Sequence, residues 1–203
     1  MPSDSLAQQL AFLCEIDKLK TVLRQSPLID RSRKENSAEH SWHLAMYALL
    51  LQEHAAAEIN IERVIKMLLL HDIVEIDVGD TPLHSDSSPC LQAELEQQAA
   101  CRLFGLLPDP QSSELLALWQ EFEEAHTNDA RFAKALDRVQ PLMTNIFTGG
   151  GTWTENAVGL DQVLEKYGPT VRRGSPALWR ACEALVHGHF AGIEKTQSPK
   201  NDA

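Results

Sequence analysis

Apolar residues at helical spacing constrain the fold of this chain more than any other feature of its sequence. Between Ser5 and Leu23 they return every three or four positions, as on one face of a helix. The positions concerned are Leu6, Leu10, Leu13, Ile16 and Leu19. The strict alternation of a half-buried strand is nearly absent. We therefore expect an all-α protein.

Capping residues and prolines divide the remaining sequence into further helices. Asn36 followed by Glu39 has the form of a capping box, and Asn60 can cap the next helix. Other starts are predicted where Ser88, Asp109 or Ser175 precedes a proline. Loops are predicted after Pro27, at Gly79-Asp80-Thr81-Pro82 and at Gly149-Gly150-Gly151. Together these signals predict helices over about 5–23, 37–57, 61–72, 89–105, 110–126, 128–147, 155–167 and 176–195.

The sequence predicts a single domain. Its 203 residues fit the usual size of one domain, and no internal repeat, low-complexity tract or long linker interrupts them. We expect one helical bundle over residues 1–203, with a core over about 8–165. The C-terminal helix over about 176–195 and a frayed tail over 196–203 complete the expected organisation.

Charge and cysteine usage restrict the partners and the compartment. The formal net charge of -11 disfavours nucleic acid and anionic membranes as partners. No stretch approaches the roughly 20 apolar residues of a membrane span, and Asp4, Glu15 and Asp17 interrupt any signal-peptide pattern. The four cysteines show no pairing or metal-finger spacing. We therefore expect a cytoplasmic protein with reduced thiols, and a buried position for Cys14 and Cys182.

One group of polar residues on predicted helices has the composition of a metal site. His71-Asp72 ends the apolar run 64–70, His40 lies near the start of its helix, and Asp137 interrupts an apolar stripe. Two imidazoles and two carboxylates suit a divalent ion such as Mn²⁺, Co²⁺, Fe²⁺ or Zn²⁺, with positions left for water and a phosphate oxygen. Glu75, one helical turn beyond the pair, is a candidate for orienting that water.

The order His…His-Asp…Asp resembles the HD-domain hydrolases. The stretches 35–40, 71–75 and 79–82 are similar to the 5'-deoxynucleotidase branch of that family, as is the segment 114–138. The resemblance covers roughly residues 8–165. It implies an all-helical HD domain and a phosphohydrolase that removes phosphate from nucleoside 5'-monophosphates.

The same resemblance implies a role for each residue that matches a motif of the branch. One divalent ion (Mn, Co, Fe, Zn or Mg) would be held by His40, His71, Asp72 and Asp137. Glu75 would position or activate the attacking water, with Asp72 beside it in the catalytic group. Arg24 would bind the substrate phosphate, Asp80 would contact the sugar, and Thr81 would also bind the substrate. Related proteins are commonly homodimers, so a homodimer is expected.

One position departs from the branch, and two other functions remain open. The branch carries a tryptophan beside the sugar shortly after its substrate arginine, where this sequence has Ser26. Selectivity for 2'-deoxyribose therefore does not follow from the resemblance. His84 and His126 lie between the HD pair and Asp137, as extra ligands do in two-metal HD phosphodiesterases and oxygenases. A module that binds a nucleotide without hydrolysing it is the third possibility.

Three further aromatic positions have structural interpretations. Trp42 is expected to anchor the core, and His43 to have a packing or outer-sphere role. The triple glycine has no preceding strand and no following lysine, so a phosphate-binding loop is excluded. We expect it to end a helix, with Trp153 packing back onto the domain.

Overall fold

The chain is built almost entirely from helices, which confirms the predicted class. The computed structural model describes residues 4–81 and 89–197. Its α-helices are α1 (Asp4–Ile16), α2 (Ser37–Leu51), α3 (Ile61–Leu70), α4 (Glu75–Val78), α5 (Pro89–Phe104), α6 (Gln111–Glu124), α7 (Asn128–Phe147), α8 (Gly151–Glu155), α9 (Leu160–Gly174) and α10 (Pro176–Gln197). Shorter 3₁₀ helices span Asp17–Thr21, Gln52–His54 and His71–Val74.

Local capping explains several helix starts. Asn36 and Glu39 form the predicted capping box, in which the Asn36 side chain accepts from the Glu39 amide and the Glu39 side chain from the Asn36 amide. The Asn60 side chain caps α3, and the Ser175 hydroxyl accepts from the amide of the third residue of α10. Asp109 does not act as a cap: α6 begins at Gln111, one residue later than predicted, with no side-chain cap.

Several segments differ from the sequence-based prediction. Helices α1 and α2 end at Ile16 and Leu51, before the predicted ends at about 23 and 57. Residues 23–36 contain a short antiparallel pair, β1 (Leu23–Pro27) and β2 (Lys34–Asn36), where only a loop was predicted. The helix predicted over about 155–167 is divided, because α8 begins inside the triple glycine and α9 runs from Leu160 to Gly174. All three glycines have positive φ, which ends α7 at the predicted place.

Helix α7 runs through the middle of the domain and contributes to two of its three apolar clusters. The first cluster joins α2, α3, α6 and α7, and contains Leu44, Met67, Leu68, Phe122, Phe132 and Leu136. The second joins α1, α5 and α6 to the 3₁₀ segment His71–Val74. The third joins α7 to α8, α9 and α10, with Trp153 buried against Tyr167 and Phe190 as expected. Asp137 is therefore held at the junction of well-packed helices.

Two burial predictions were wrong. Trp42 is 62% exposed and lines a surface cavity instead of anchoring the core. Cys14 is exposed, whereas Cys182 is buried as expected, and all four cysteines are free thiols. Both errors concern positions on amphipathic helices, where the sequence marks an apolar face without showing what covers it. None of the described helices has both the length and the apolar character that a membrane span requires.

Candidate metal centre

Four polar side chains from α2, α7 and the His71–Val74 segment meet in the interior. Ligand atoms of His40, His71 and Asp72 all lie within 4.8 Å of one another. Asp137 joins them, since its Oδ1 is 3.1 Å from His40 Nε2 and 3.6 Å from His71 Nε2. All four residues are buried.

The change from α-helix to 3₁₀ helix at His71 brings the polar residues of this segment together. Helix α3 ends at Leu70, and the chain continues as the 3₁₀ turn and then as the single turn of α4. His71 Nε2 lies 3.0 Å from Asp72 Oδ1, and Glu75 follows at the start of α4. The indole N–H of Trp119 on α6 donates to the His71 carbonyl and holds this turn in place.

Hydrogen bonds select the protonated nitrogen of each imidazole. His71 Nδ1 lies 2.8 Å from the Leu68 carbonyl oxygen, which can only accept, so Nδ1 carries the proton. The Gln140 amide donates to the Glu35 carboxylate at 3.0 Å, which leaves its oxygen to accept from His40 Nδ1 at 3.1 Å. The Nε2 lone pairs of both histidines therefore face the carboxylates, and this tautomer is the one that ligates a metal.

The lone pair of an imidazole nitrogen repels a carboxylate oxygen that faces it, unless a cation lies between the two atoms. His71 Nε2 is buried and has no hydrogen-bond partner. Burial alone would lower the pKa of His71, but the Asp72 and Asp137 carboxylates raise it to about 10. Burial opposes ionisation of Asp72, yet His71 and Arg24 lower its pKa to about 2. The donor set thus demands a positive charge, which fits a divalent cation.

Arg24 on β1 lies beside the cluster and faces several acids. Its NH1 donates to Asp72 Oδ2 at 2.9 Å and lies 3.7 Å from Asp80 Oδ1 and 4.0 Å from Glu75 Oε1. Although burial opposes the charge, these carboxylates raise the pKa of Arg24, so the guanidinium stays cationic. Its buried Nε has no hydrogen-bond partner.

Glu75 is buried, and its environment favours the protonated form. Desolvation and the nearby Asp72 carboxylate raise the pKa of Glu75 to about 8, while Arg24 opposes the rise. The Ser37 hydroxyl donates to Glu75 Oε2 at 2.5 Å. A carboxyl group with this pKa can exchange a proton near neutral pH, which is what a general acid or base requires.

The structure also places the other candidate residues. Asp80 accepts from the Gln25 amide, and burial raises its pKa. Thr81 is half-buried at the end of the first described segment. Ser26 is buried on β1, two residues beyond Arg24.

Sequence reasoning missed several residues that hold the cluster. Glu35, Ser37 and Gln140 were assigned no role, although each contacts a candidate ligand or its partner. Arg138 donates to Asp137 Oδ2 at 2.8 Å and so fixes the carboxylate that faces both histidines. The spacing of Gln140, one turn after Asp137, is a signal that could have found it.

The remaining histidines lie outside the cluster wherever the structure describes them. His126 is exposed in the turn between α6 and α7, and His84 falls outside the described residues. His43 packs edge-on against Tyr47, with its Nδ1 3.4 Å from Gln140 Nε2, in agreement with the packing role. Within the described part of the chain, a metal-ligand group of three or more His, Cys, Asp or Glu is found only at His40, His71 and Asp72.

A helical domain that presents His from α2, His-Asp from the segment after α3 and Asp from α7 has the architecture of the HD-domain class. The family model of the HD domain matches residues 16–179. The chain belongs to the HD domain family.

Comparisons with individual proteins agree with this membership. A solved structure described as a predicted metal-dependent phosphohydrolase from Magnetospirillum magnetotacticum is 52% identical, with a TM-score of 0.86 over 92% of this chain and 96% of that one. The 5'-deoxynucleotidase HDDC2 of Xenopus laevis is 30% identical over 135 residues, which are 66% of this chain and 66% of that protein, slightly less than two thirds of its length. A 5'-deoxynucleotidase of Erwinia tasmaniensis is 28% identical over 163 residues, 75% of this chain and 82% of the relative.

Proposed function

We propose that this protein is a metal-dependent phosphomonoesterase that acts on nucleoside 5'-monophosphates. The observation that carries the proposal is the meeting of two imidazole lone pairs and two carboxylates beside an arginine and a high-pKa glutamate. Relatives named 5'-deoxynucleotidase support the substrate class.

One divalent ion would be held by His40, His71, Asp72 and Asp137. When bound there, the ion would supply positive charge for a phosphate and lower the pKa of a coordinated water. The tautomers imposed by Leu68 and Gln140 support this ligand set, because they direct Nε2 of each imidazole inward.

Arg24 would bind the substrate phosphate. Its guanidinium is cationic, lies among carboxylates that hold it in position, and keeps one N–H without a partner. A planar guanidinium suits phosphate oxygens, and it neutralises charge that develops as the ester bond breaks.

Glu75 would orient the attacking water and accept its proton. Its carboxyl lies beside Asp72, is held by the Ser37 hydroxyl, and has a pKa near neutrality. Asp80, 3.7 Å from the Arg24 guanidinium, would contact the sugar, and Thr81 would also bind the substrate.

Released phosphate from a panel of ribo- and deoxyribonucleoside monophosphates tests the proposal. The protein is freed of metal and assayed with and without Mn²⁺ or Co²⁺. We expect metal-dependent release from at least one monophosphate. Absence of release from all of them would contradict the proposal, and tight nucleotide binding without turnover would favour a binding module.

Two variants separate the proposed roles. Glu75→Gln keeps the size of the side chain but cannot accept a proton, so turnover should fall by about 100-fold or more with metal binding retained. Asp137→Asn should weaken metal binding itself. Glu94→Gln, an exposed acid on α5, is the matched control and should change neither turnover nor metal binding.

Elemental analysis tests the dinuclear alternative. Two equivalents of metal, both lost on His84→Ala and His126→Ala, would favour a dinuclear enzyme.

We also propose a cytoplasmic homodimer. Three of the four free cysteines are exposed, which fits a reducing compartment.

The homodimer is supported by exposed leucines on α1 and α5, including Leu10, Leu13 and Leu91, which offer an apolar surface for a second copy. Sedimentation equilibrium should give twice the chain mass, and the monomer mass at micromolar concentration would contradict the homodimer.

A further inference from the structure

A second charged cavity lies between α7, α9 and the end of α6. It has a volume of about 170 Å³. Its lining consists of Ala125, Arg131, Lys134, Arg138, Thr170 and Arg173. Four cationic side chains and no carboxylate thus line a small cavity of a protein whose net charge is -11.

Only part of this positive charge is neutralised. Lys134 Nζ is 3.0 Å from both Glu123 carboxylate oxygens, and Arg138 donates to Asp137 at 2.8 Å. Arg131 and Arg173 form no ion pair with any described residue, and Arg131 Nε is buried without a hydrogen-bond partner. Like charges held together in a partly buried space destabilise the folded protein unless an anion compensates them.

The fold brings these residues together by two features. Arg131, Lys134 and Arg138 lie three and four residues apart on α7, so they share one face of that helix. Gly174 lets the end of α9 approach α7, since a Cβ at this position would clash with the Arg131 carbonyl oxygen. Arg173 and Thr170, three residues apart near the end of α9, are thereby brought against the face of Arg131.

We propose that this cavity is a binding site for a phosphate group, distinct from the candidate metal centre. Guanidinium groups and a hydroxyl are suitable donors for a tetrahedral oxyanion. The volume of about 170 Å³ accommodates a small anion. Arg138 connects the two sites, because the guanidinium that lines the cavity also holds Asp137.

Calorimetric titration of the full chain with inorganic phosphate at low ionic strength tests this site. The titration is done with the protein as purified and again after removal of metal by chelation and dialysis. We expect saturable binding that survives metal removal, since no candidate metal ligand lines the cavity. Absence of saturable binding up to tens of millimolar phosphate would overturn the proposal.

Variants assign the binding to one of the two candidate sites. Arg173→Gln, at an exposed position, should weaken phosphate binding by about tenfold, because one charge-assisted contact is lost. Thr170→Val should give a smaller loss, and it tests the site again if the arginine variant folds poorly. Arg180→Gln removes an exposed charge on α10 and should stay within about twofold of the parent. Arg24→Ala should retain binding to the metal-free protein.

The opposite pattern would overturn the site. If Arg24→Ala abolished phosphate binding and Arg173→Gln left it intact, the anion would be binding beside the metal centre.

A shift of the Arg131 side-chain N–H signal on phosphate addition, measured by NMR, provides a direct readout of the cavity. In the metal-free Arg24→Ala variant, a nucleoside monophosphate that binds more tightly than inorganic phosphate would identify a phosphorylated metabolite as the ligand of the cavity, and equal affinity would identify free phosphate. Neither outcome depends on turnover, so failure here leaves the phosphatase proposal separately testable.

Discussion

Replacing Gln140 by leucine should weaken metal binding although Gln140 is not itself a candidate ligand. The side chain is 2% exposed and bonds His40 at 3.1 Å and Glu35 at 3.0 Å. Leucine leaves the His40 Nδ1–H and the Glu35 carboxylate without these partners. Each lost partner costs about 1–3 kcal/mol, so the free energy of unfolding should fall by about 2–6 kcal/mol. Loss of the residue that orients a ligating histidine typically weakens metal affinity by about 10–100-fold.

Binding of Mn²⁺, followed by electron paramagnetic resonance well below the melting temperature, measures the affinity, and thermal unfolding measures the stability. Thr144→Val is the matched control, because this buried hydroxyl one turn further along α7 bonds only the backbone of its own helix. We expect unchanged Mn²⁺ affinity in the control. If Gln140→Leu remained folded and bound Mn²⁺ within twofold of the parent, orientation of His40 by Gln140 would be refuted.

Four further predictions concern alkaline pH, acid pH, helix capping and sugar preference. In the metal-free protein the pKa of His71 is raised from 6.5 to about 10, so its contribution to stability is fully present below about pH 6.5 and is lost as pH rises through about 10. Melting curves should show this alkaline decline, and an equal decline in His71→Gln would contradict the assignment. Asp72, with a pKa lowered from 3.8 to about 2, contributes stability that is present above about pH 3.8 and lost as pH falls through about 2, which acid melting curves should show. Asn36→Ala removes one half of the capping box and should cost about 1 kcal/mol in chemical unfolding, whereas Asn36→Asp should retain stability. Since the small Ser26 stands on β1 beside Arg24, kcat/KM for ribo- and deoxyribonucleotides of one base should differ by less than about 100-fold, and a larger ratio would reveal a sugar-selecting group elsewhere.

The predicted helices were mostly confirmed because their signals are local. Asn36, Asn60 and Ser175 cap helices where the sequence indicates, since a capping bond involves atoms only two or three residues apart. Strands β1 and β2 were missed because their pairing joins residues across a loop and gains only a few backbone bonds. That short pair nevertheless positions Arg24.

Burial of individual aromatic residues was harder to predict. Trp42 is exposed, whereas Trp153 is buried. The difference lies in which helices pack against each side chain: α9 and α10 cover Trp153, and no described helix covers Trp42. Such contacts depend on residues far away in the sequence.

By itself the sequence determined the helical class, most helix starts and the residue types of the candidate metal centre, because these follow from spacing, capping chemistry and motif order. Only the tertiary structure decided that Asp137 lies 3.1 Å from His40, which is 97 residues earlier in the chain. It also decided the tautomers through Leu68 and Gln140, and the rise of the Glu75 pKa through burial. Distances between remote side chains and the loss of water around them arise from packing, and local pattern carries no information about either.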